Sequence, residues 1–288
     1  MAAAAFAFVA GTGPAWGQSI PFADTEDATL SEIDVKDRKA DWHPVVMLDV
    51  RNGDYARGAL DDDDAALDRV PVHVAVGGAR VVRRRRDGAG ELFVVGQSSN
   101  GFHAPRQDER AAPRAWYESN NLLGLAWRPA EGLTTAATYA IKTSPNGVAS
   151  TTHEASLSLL YTADQGFGRL KPRAAITRRT QGEGGLYTIA GISPSFELSG
   201  REDGPSLSVP LLVGIGWNGF YAAGSGTRVY GSGGVTLAQP LKMGAGAATL
   251  QADILALVRD NRLRRLDAPG GTTAAVIPHA TISLTFAW

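Results

Sequence analysis

Apolar and polar residues alternate over much of this chain, and the last nine residues show the pattern most plainly. In ATISLTFAW, residues 280–288, every second residue is apolar and those between are small or polar. A period of two places the apolar residues on one face of a β-strand. That face packs either in the core of a soluble sandwich or against lipid on the outside of a membrane barrel.

The same alternation recurs from His43 onward, in segments that end at glycine, proline, aspartate or asparagine. The segments are longer than the usual strand of a soluble protein, which has about 5 or 6 residues. They suit a tilted membrane strand, which needs about 9 to 11 residues to cross the bilayer. The pattern predicts twelve strands: 43–55, 70–84, 91–102, 114–129, 133–145, 152–164, 170–182, 185–198, 207–222, 227–241, 246–261 and 274–288.

The connections between these segments give a second test. Those at 56–69, 103–113 and 262–273 are long, whereas those at 87–90 and 129–132 are short. Outer-membrane barrels have short periplasmic turns and longer outer loops. Aromatic residues also lie near segment ends, where a lipid interface would be. Together these features predict an all-β fold, an antiparallel transmembrane β-barrel of about 12 strands, with 10 or 14 as alternatives.

Composition excludes several classes of protein. The chain has 288 residues, a formal net charge of −1 and no cysteine. The near-zero charge gives no electrostatic basis for nucleic-acid binding. The lack of cysteine excludes a disulfide scaffold and a thiolate metal site. No stretch approaches the roughly 18 apolar residues of a membrane helix.

The N-terminal region differs from the rest. Residues 1–17 resemble the apolar part of a signal peptide, with cleavage expected before Gln18. The usual basic residues before the apolar stretch are missing, so we expect a truncated start. The acidic residues 18–42 lack alternation and predict a mobile periplasmic segment. Residues 43–288 form the predicted barrel.

Short motifs in the second half of the chain bring a family resemblance. ATYAIKTSPNG at 137–147, GISPSFEL at 191–198 and the aromatic C-terminus resemble uncharacterised porin-like outer-membrane proteins of Gram-negative bacteria. The resemblance covers residues 114–288. It implies a location in the outer membrane, contact with its lipids, and insertion by the barrel-assembly machinery. In such proteins the final aromatics, here Phe286 and Trp288, resemble the assembly signal.

Residues with obvious catalytic or metal-binding patterns are scarce. The histidines at 43, 73, 103, 153 and 279 lack the spacing of metal ligands. No G-x-S-x-G occurs. The acidic run at 60–68 lacks the glycine and glutamate of a calcium loop. The sequence therefore predicts no catalytic residue, no metal and no cofactor, and a protein that is not an enzyme.

The polar faces of the predicted strands carry charges. Parity assigns these inward positions: basic Arg51, Arg128, Lys142, Lys171, Arg173, Arg179, Arg228 and Arg259, and acidic Asp49, Glu118, Glu154, Glu197 and Asp253. Charges inside a barrel are costly unless they are paired or hydrated. They form either a ladder of ion pairs that plugs a narrow lumen, or the lining of a water-filled pore that favours anions.

The main functional hypothesis is therefore passive diffusion of small polar or anionic solutes. The predicted selectivity element is the wall formed by Lys171, Arg173 and Arg179, with Lys142 nearby and Glu154 as its partial counter-charge. The alternative is a non-conducting barrel with a structural or adhesive role. A lipid-modifying enzyme is the third hypothesis.

Overall fold

The computed structural model describes residues 18–22, 31–35, 41–60, 69–84, 90–105, 112–147, 149–163, 165–182, 184–201, 204–222, 224–243, 247–266 and 273–288. Its strands are β1 (Gln18–Phe22), β2 (Ser31–Val35), β3 (Trp42–Arg51), β4 (Tyr55–Ala56), β5 (Ala59–Leu60), β6 (Val72–Arg83), β7 (Glu91–Phe102), β8 (Trp116–Ala130), β9 (Leu133–Thr143), β10 (Thr152–Tyr161), β11 (Arg173–Gln181), β12 (Gly185–Ile192), β13 (Ser195–Glu197), β14 (Ser206–Ser208), β15 (Leu211–Gly216), β16 (Arg228–Lys242), β17 (Ala247–Arg259) and β18 (Val276–Ala287). The helix α1 (Asn261–Leu266) and a 3-10 helix (Gly166–Leu170) complete the described elements. Neither these nor any other described segment forms a helix long and apolar enough to cross a membrane.

One large antiparallel sheet closes on itself. Its strands pair along the chain from β3 to β18, and β18 returns to pair with β3. Proline, which lacks an N–H to donate, interrupts two barrel strands. Pro194 separates β12 from β13, and Pro210 separates β14 from β15. Counting each interrupted pair as one strand gives a closed barrel of twelve strands, which confirms the prediction.

The two faces of the strands follow the predicted parity. Outward side chains such as Leu123, Leu157 and Ile254 are 61% to 65% exposed. Inward neighbours such as Ser158 and Ser283 are no more than 7% exposed. A closed barrel with an apolar outer surface and a polar interior is the architecture of outer-membrane barrels.

The two ends of the barrel differ. We call the end where β3 ends and β6 begins the upper end, and the end that carries Trp288 the lower end. The upper connection after β7 is long, as predicted, but the one between β11 and β12 spans only residues 182–184. The lower connection between β10 and β11 is long and holds the 3-10 helix. The predicted strand 170–182 therefore begins later, at Arg173, because helical backbone precedes it.

The N-terminal strands β1 and β2 form an antiparallel hairpin. The backbone of β1 approaches β9 and β10, and that of β2 approaches β3 and β6. The N-terminal hairpin therefore contacts two separate parts of the barrel wall. It falls within the predicted segment 18–42. Residues 1–17 lie outside the described part of the chain, so the signal peptide and the domain boundaries stay predictions.

Candidate functional site in the upper lumen

The first upper connection folds into the barrel. Residues 52–60, which we call the lumen hairpin, contain β4 and β5 joined by a two-residue turn. Arg57 and Gly58 both have positive φ, 51° and 82°, as a type I′ turn requires. Asp54, Tyr55 and Arg57 are all buried, because the surrounding strands enclose them. The lumen hairpin therefore occupies the upper lumen.

An ion pair fixes the tip of the lumen hairpin to the opposite wall. Arg57 donates from Nη1 and Nη2 to the two carboxylate oxygens of Glu154 on β10, at 2.9 and 2.6 Å. Arg179 on β11 donates to the same carboxylate at 3.3 Å. Burial by itself would lower the pKa of Arg57, but the facing Glu154 carboxylate outweighs it and raises this pKa above its ordinary value. The paired, bidentate geometry makes this contact strong and directional.

Aromatic side chains surround the same guanidinium. Its carbon lies 4.7 Å from the centre of the Tyr187 ring and 5.1 Å from that of Phe220. The Tyr221 hydroxyl donates to the backbone oxygen of Arg57 at 2.6 Å. Burial raises the pKa of Tyr221, so this donor stays protonated at neutral pH. The hairpin tip is thus held by its charge, by ring faces and through its backbone.

Close approach to β16 and β17 requires the glycine of the turn. A Cβ at Gly58 would lie 2.6 Å from Cγ of Tyr230. Arg259 on β17 donates to the Gly58 oxygen at 3.4 Å, and its guanidinium lies 5.5 Å from the centre of the Tyr55 ring. His279 on β18 bonds the Gly53 oxygen at 3.2 Å. The lumen hairpin therefore contacts three further strands.

A second polar cluster lies at the base of the hairpin. Arg51 donates to Asp49 at 2.7 and 3.1 Å, and Asp49 also bonds Nδ1 of His73 at 3.2 Å. The other ring nitrogen of His73 lies 2.6 Å from the Tyr117 hydroxyl. Tyr117 stacks on His103, with 4.5 Å between the ring centres.

A β-bulge explains the position of Tyr117. Gly101 pairs with Glu118 and Phe102 with Trp116, so Tyr117 is the extra residue between them. A Cβ at Gly101 would lie 2.6 Å from Cζ of Tyr117. The bulge directs both Tyr117 and Glu118 inward, because the extra residue disturbs the alternation.

Three side chains at the base of the lumen hairpin are of types that can bind a metal ion. Asp54, His73 and Glu118 are buried, and their candidate ligand atoms all lie within 4.8 Å of one another. Glu118 also accepts from Asn120 at 2.6 Å and lies 3.7 Å from the Lys142 ammonium. Histidine nitrogen and carboxylate oxygen are ligands that Zn²⁺ accepts.

Some of the sequence-predicted lumen residues lie in this upper region. Glu154 and Arg179 meet Arg57 there, Lys142 faces Glu118, and Arg259 holds the hairpin backbone. Arg228 is half-buried near the same end and donates to the Gly226 oxygen at 3.2 Å. The structure brings these residues close to a loop that the parity assignment did not include.

The remaining predicted residues lie elsewhere. Arg128 donates to Glu91 at 3.2 Å near the lower end. Lys171 caps the 3-10 helix and Arg173 begins β11, so both are a strand length below Arg179 and the proposed wall is divided. Asp253 accepts from Gln251 at 3.0 and 3.1 Å. Glu197 is exposed.

The C-terminal aromatics lie at the lower end. Phe286 and Trp288 stack, with ring centres 6.2 Å apart and planes inclined by 17°. Trp288 is half-exposed, and its amide donates to the Pro44 oxygen at 3.3 Å. Their role in assembly stays a prediction.

Sequence reasoning missed Asp54, Arg57, His73 and Tyr117. His73 could have been predicted, because it pairs with Asp49 on the adjacent strand and Asp49 had been assigned inward. Arg57 lies in the predicted connection 56–69. Asp54 lies in the predicted strand 43–55 but after Arg51, where β3 ends, and Tyr117 lies in a bulge. Periodicity carries no signal at either place.

Comparison with known proteins gives little further information. No family model matches the sequence, and no curated protein matches it. A bacterial polysaccharide outer membrane secretin is similar in structure with a TM-score of 0.45 and 11% identity, over 86% of this chain and 98% of the other. LpxR from Salmonella typhimurium has a TM-score of 0.44 and 11% identity, over 84% and 99%. At these TM-scores neither similarity supports an argument about function.

Proposed function

We propose that this protein is an outer-membrane channel for small polar or anionic solutes, and that the lumen hairpin closes it. The observation that carries the proposal is the buried Arg57–Glu154 pair, which ties a loop to the opposite wall of the barrel. A buried ion pair is a weak way to stabilise a permanent plug, since well-packed apolar residues serve as well or better. It suits a contact that forms and breaks.

The outer surface supports the location in the outer membrane of a Gram-negative bacterium. Large apolar side chains cover the barrel wall, for example Leu123, Ile254 and Ile282. In water such a surface would aggregate, whereas in a bilayer it contacts lipid. By analogy with other such barrels the lower end, with Phe286 and Trp288, faces the periplasm, and insertion depends on the barrel-assembly machinery.

The charges around the lumen hairpin support a preference for anions. Among the residues that the structure describes, the basic side chains at the hairpin or its base include Arg51, Arg57, Lys142, Arg179, Arg259 and Arg69, which bonds His103, and the acidic ones include Asp49, Asp54, Glu118 and Glu154. In this set the basic side chains outnumber the carboxylates. In a low-dielectric passage this modest surplus favours anions.

A non-conducting structural barrel is the second candidate, and one observation favours it. An apolar cluster that includes Tyr187, Phe220, Tyr230 and Leu257 packs around Tyr55 of the hairpin in the upper lumen. If this cluster stays packed when the hairpin is released, no solute passes.

A lipid-modifying activity has less support. Such an enzyme needs a nucleophile and a base near the lipid interface. On the outer surface, His153 bonds the Tyr139 hydroxyl at 2.8 Å, and the adjacent hydroxyl is that of Thr180. These groups are of the types that such an enzyme uses, and the expectation that the protein is not an enzyme and has no cofactor stays a prediction.

Single-channel recording in planar bilayers tests the proposal. We expect the wild type to open rarely and a variant with residues 54–59 replaced by a short glycine-serine link to stay open. Arg179→Gln should shift the reversal potential in a salt gradient toward cations. Its matched control is Arg178→Gln, since Arg178 is the adjacent residue on the outward face of β11. If neither the wild type nor the hairpin replacement ever conducts, the channel proposal is wrong and the structural barrel stands.

A further inference from the structure

We propose that Asp54, His73 and Glu118 bind one divalent transition-metal ion, with Zn²⁺ as the reference ion, at the base of the lumen hairpin. The site goes beyond the channel function and does not rest on it. Each ligand comes from a different part of the chain: Asp54 from the lumen hairpin, His73 from β6 and Glu118 from β8.

The geometry of the three side chains suits one ion. Their ligand atoms lie within 4.8 Å of one another. Zinc holds nitrogen and carboxylate oxygen at about 2.0 to 2.2 Å. Two ligands of one ion are therefore at most about 4.4 Å apart, so small side-chain rotations bring the set into contact with a common centre.

His73 is already oriented as a metal ligand. Metal-binding histidines usually donate their second ring N–H to a carboxylate, which fixes the tautomer and the ring orientation. Here Nδ1 of His73 faces Asp49 at 3.2 Å, and Arg51 in turn holds Asp49 at 2.7 Å. With the proton on Nδ1, Nε2 carries the lone pair that an ion would use. A bound ion would replace the hydrogen bond that the Tyr117 hydroxyl now makes to that nitrogen at 2.6 Å.

The charges around the site set its selectivity. Asp54 and Glu118 supply two negative charges to a dication, and the imidazole binds in its neutral form. Arg51 lies 3.9 Å from Asp54, and Lys142 lies 3.7 Å from Glu118. These cations oppose a second positive ion, so we expect tight binding only for ions that form strong bonds to imidazole. Such ions are Zn²⁺, Co²⁺ and Ni²⁺ rather than Ca²⁺ or Mg²⁺.

A bound ion would join the base of the lumen hairpin to β6 and β8. Arg57 holds the tip to β10, whereas Asp54 would hold the base to β6 and β8. The hairpin would then be fixed at two points. Metal binding would favour the closed position if the hairpin moves.

Direct binding measurements test the site. Untagged full-length protein is refolded in detergent, treated with chelator, and titrated with Zn²⁺ in competition with a zinc indicator. We expect one ion per chain, and at least tenfold weaker binding for Asp54→Asn and for Glu118→Gln. Two variants are matched controls: Asp253→Asn removes a different lumen carboxylate, and His153→Gln removes a histidine on the outer surface. Both should bind as the wild type does.

Cobalt gives a second readout. Co²⁺ bound to the wild type should show visible absorption that His73→Gln loses. Heat-modifiable migration on gels checks that each variant has folded. If His73→Gln does not fold, the two carboxylate variants decide the question. Folded wild type without saturable one-to-one binding overturns the site, as does wild-type affinity in both carboxylate variants. Because binding is measured in detergent, its failure leaves the channel proposal standing.

Discussion

Two buried ion pairs lie toward opposite ends of the barrel and differ in what they hold together. Arg128 and Glu91, near the lower end, face each other on the adjacent strands β7 and β8. Arg57 and Glu154, near the upper end, join the lumen hairpin to β10 across 97 positions of sequence. Each guanidinium also lies 4.7 Å from an aromatic ring centre, that of Phe93 or of Tyr187.

The difference lies in what breaks when a pair is lost. Glu91 and Arg128 are registered opposite each other, so their pair forms with the wall and belongs to it. The Arg57–Glu154 pair depends on a loop that reaches the far side of the lumen. Similar side-chain chemistry therefore joins two adjacent strands near one end and ties a loop across the lumen at the other.

The largest expected effect comes from removing each carboxylate. Glu154→Gln and Glu91→Gln each leave a buried guanidinium without its main counter-charge, which costs about 3 to 5 kcal/mol. Urea unfolding in lipid vesicles, followed by heat-modifiable migration, should show a similar loss for both. Only Glu154→Gln should increase the open probability in planar bilayers. Equal open probability of the two variants would mean that the Arg57–Glu154 pair has no special role in closing the lumen.

Of the two ion pairs, the sequence predicts features of the lower one, which belongs to the barrel wall. Strand positions and parity follow from the period of two, since a lipid-facing side chain must be apolar on every strand. Arg128 was placed inward on this basis. Its partner Glu91 is the first residue of the preceding predicted segment, 91–102, and was not among the residues assigned inward.

The Arg57–Glu154 pair could not be predicted in the same way. Arg57 lies in a stretch assigned to a long outer connection, and such connections carry no period. Its partner Glu154 was placed inward, but as the counter-charge to a wall on β11. What brings Arg57 to Glu154 is a tight turn, a glycine against Tyr230 and a set of aromatic rings, which are tertiary features that no local pattern encodes.

Both ion pairs lie inside a barrel whose outer surface is assigned to lipid. Val213, which is 50% exposed on β15, and Ser208, of opposite parity on β14, test this. Val213→Arg should cost about 2 to 4 kcal/mol in vesicles, and Ser208→Arg far less. The measurement is again urea unfolding in lipid. Equal tolerance of the two substitutions would contradict the assignment of faces.

The turn of the lumen hairpin gives a smaller effect that is confined to the upper end. Gly58→Ala adds a methyl group 2.6 Å from the Tyr230 ring carbon at a residue with φ of 82°. We expect a loss of about 1 to 3 kcal/mol, because the site is overpacked and the backbone strained. The hairpin should then detach, and trypsin should cleave after Arg57.

Gly184→Ala is the control for this substitution. It lies in another upper connection, where an added Cβ meets no described atom within 4 Å. Its protease resistance should match that of the wild type. Cleavage after Arg57 in both variants would mean that the upper connections loosen together. In that case Gly58 has no special role in closure.

The smallest expected effect concerns one hydrogen bond to the hairpin backbone. Tyr221→Phe removes the donor to the Arg57 oxygen and should cost about 1 kcal/mol. Burial raises the pKa of Tyr221 in the folded protein, whereas in the unfolded chain it is about 10. The stabilising contribution of the neutral hydroxyl is therefore complete below about pH 10 and declines as the pH rises further. The difference in urea stability between wild type and Tyr221→Phe should stay constant from about pH 6 to 9 and shrink above about pH 10. A difference that grows with alkaline pH would mean that the phenol is not held neutral in the folded hairpin contact.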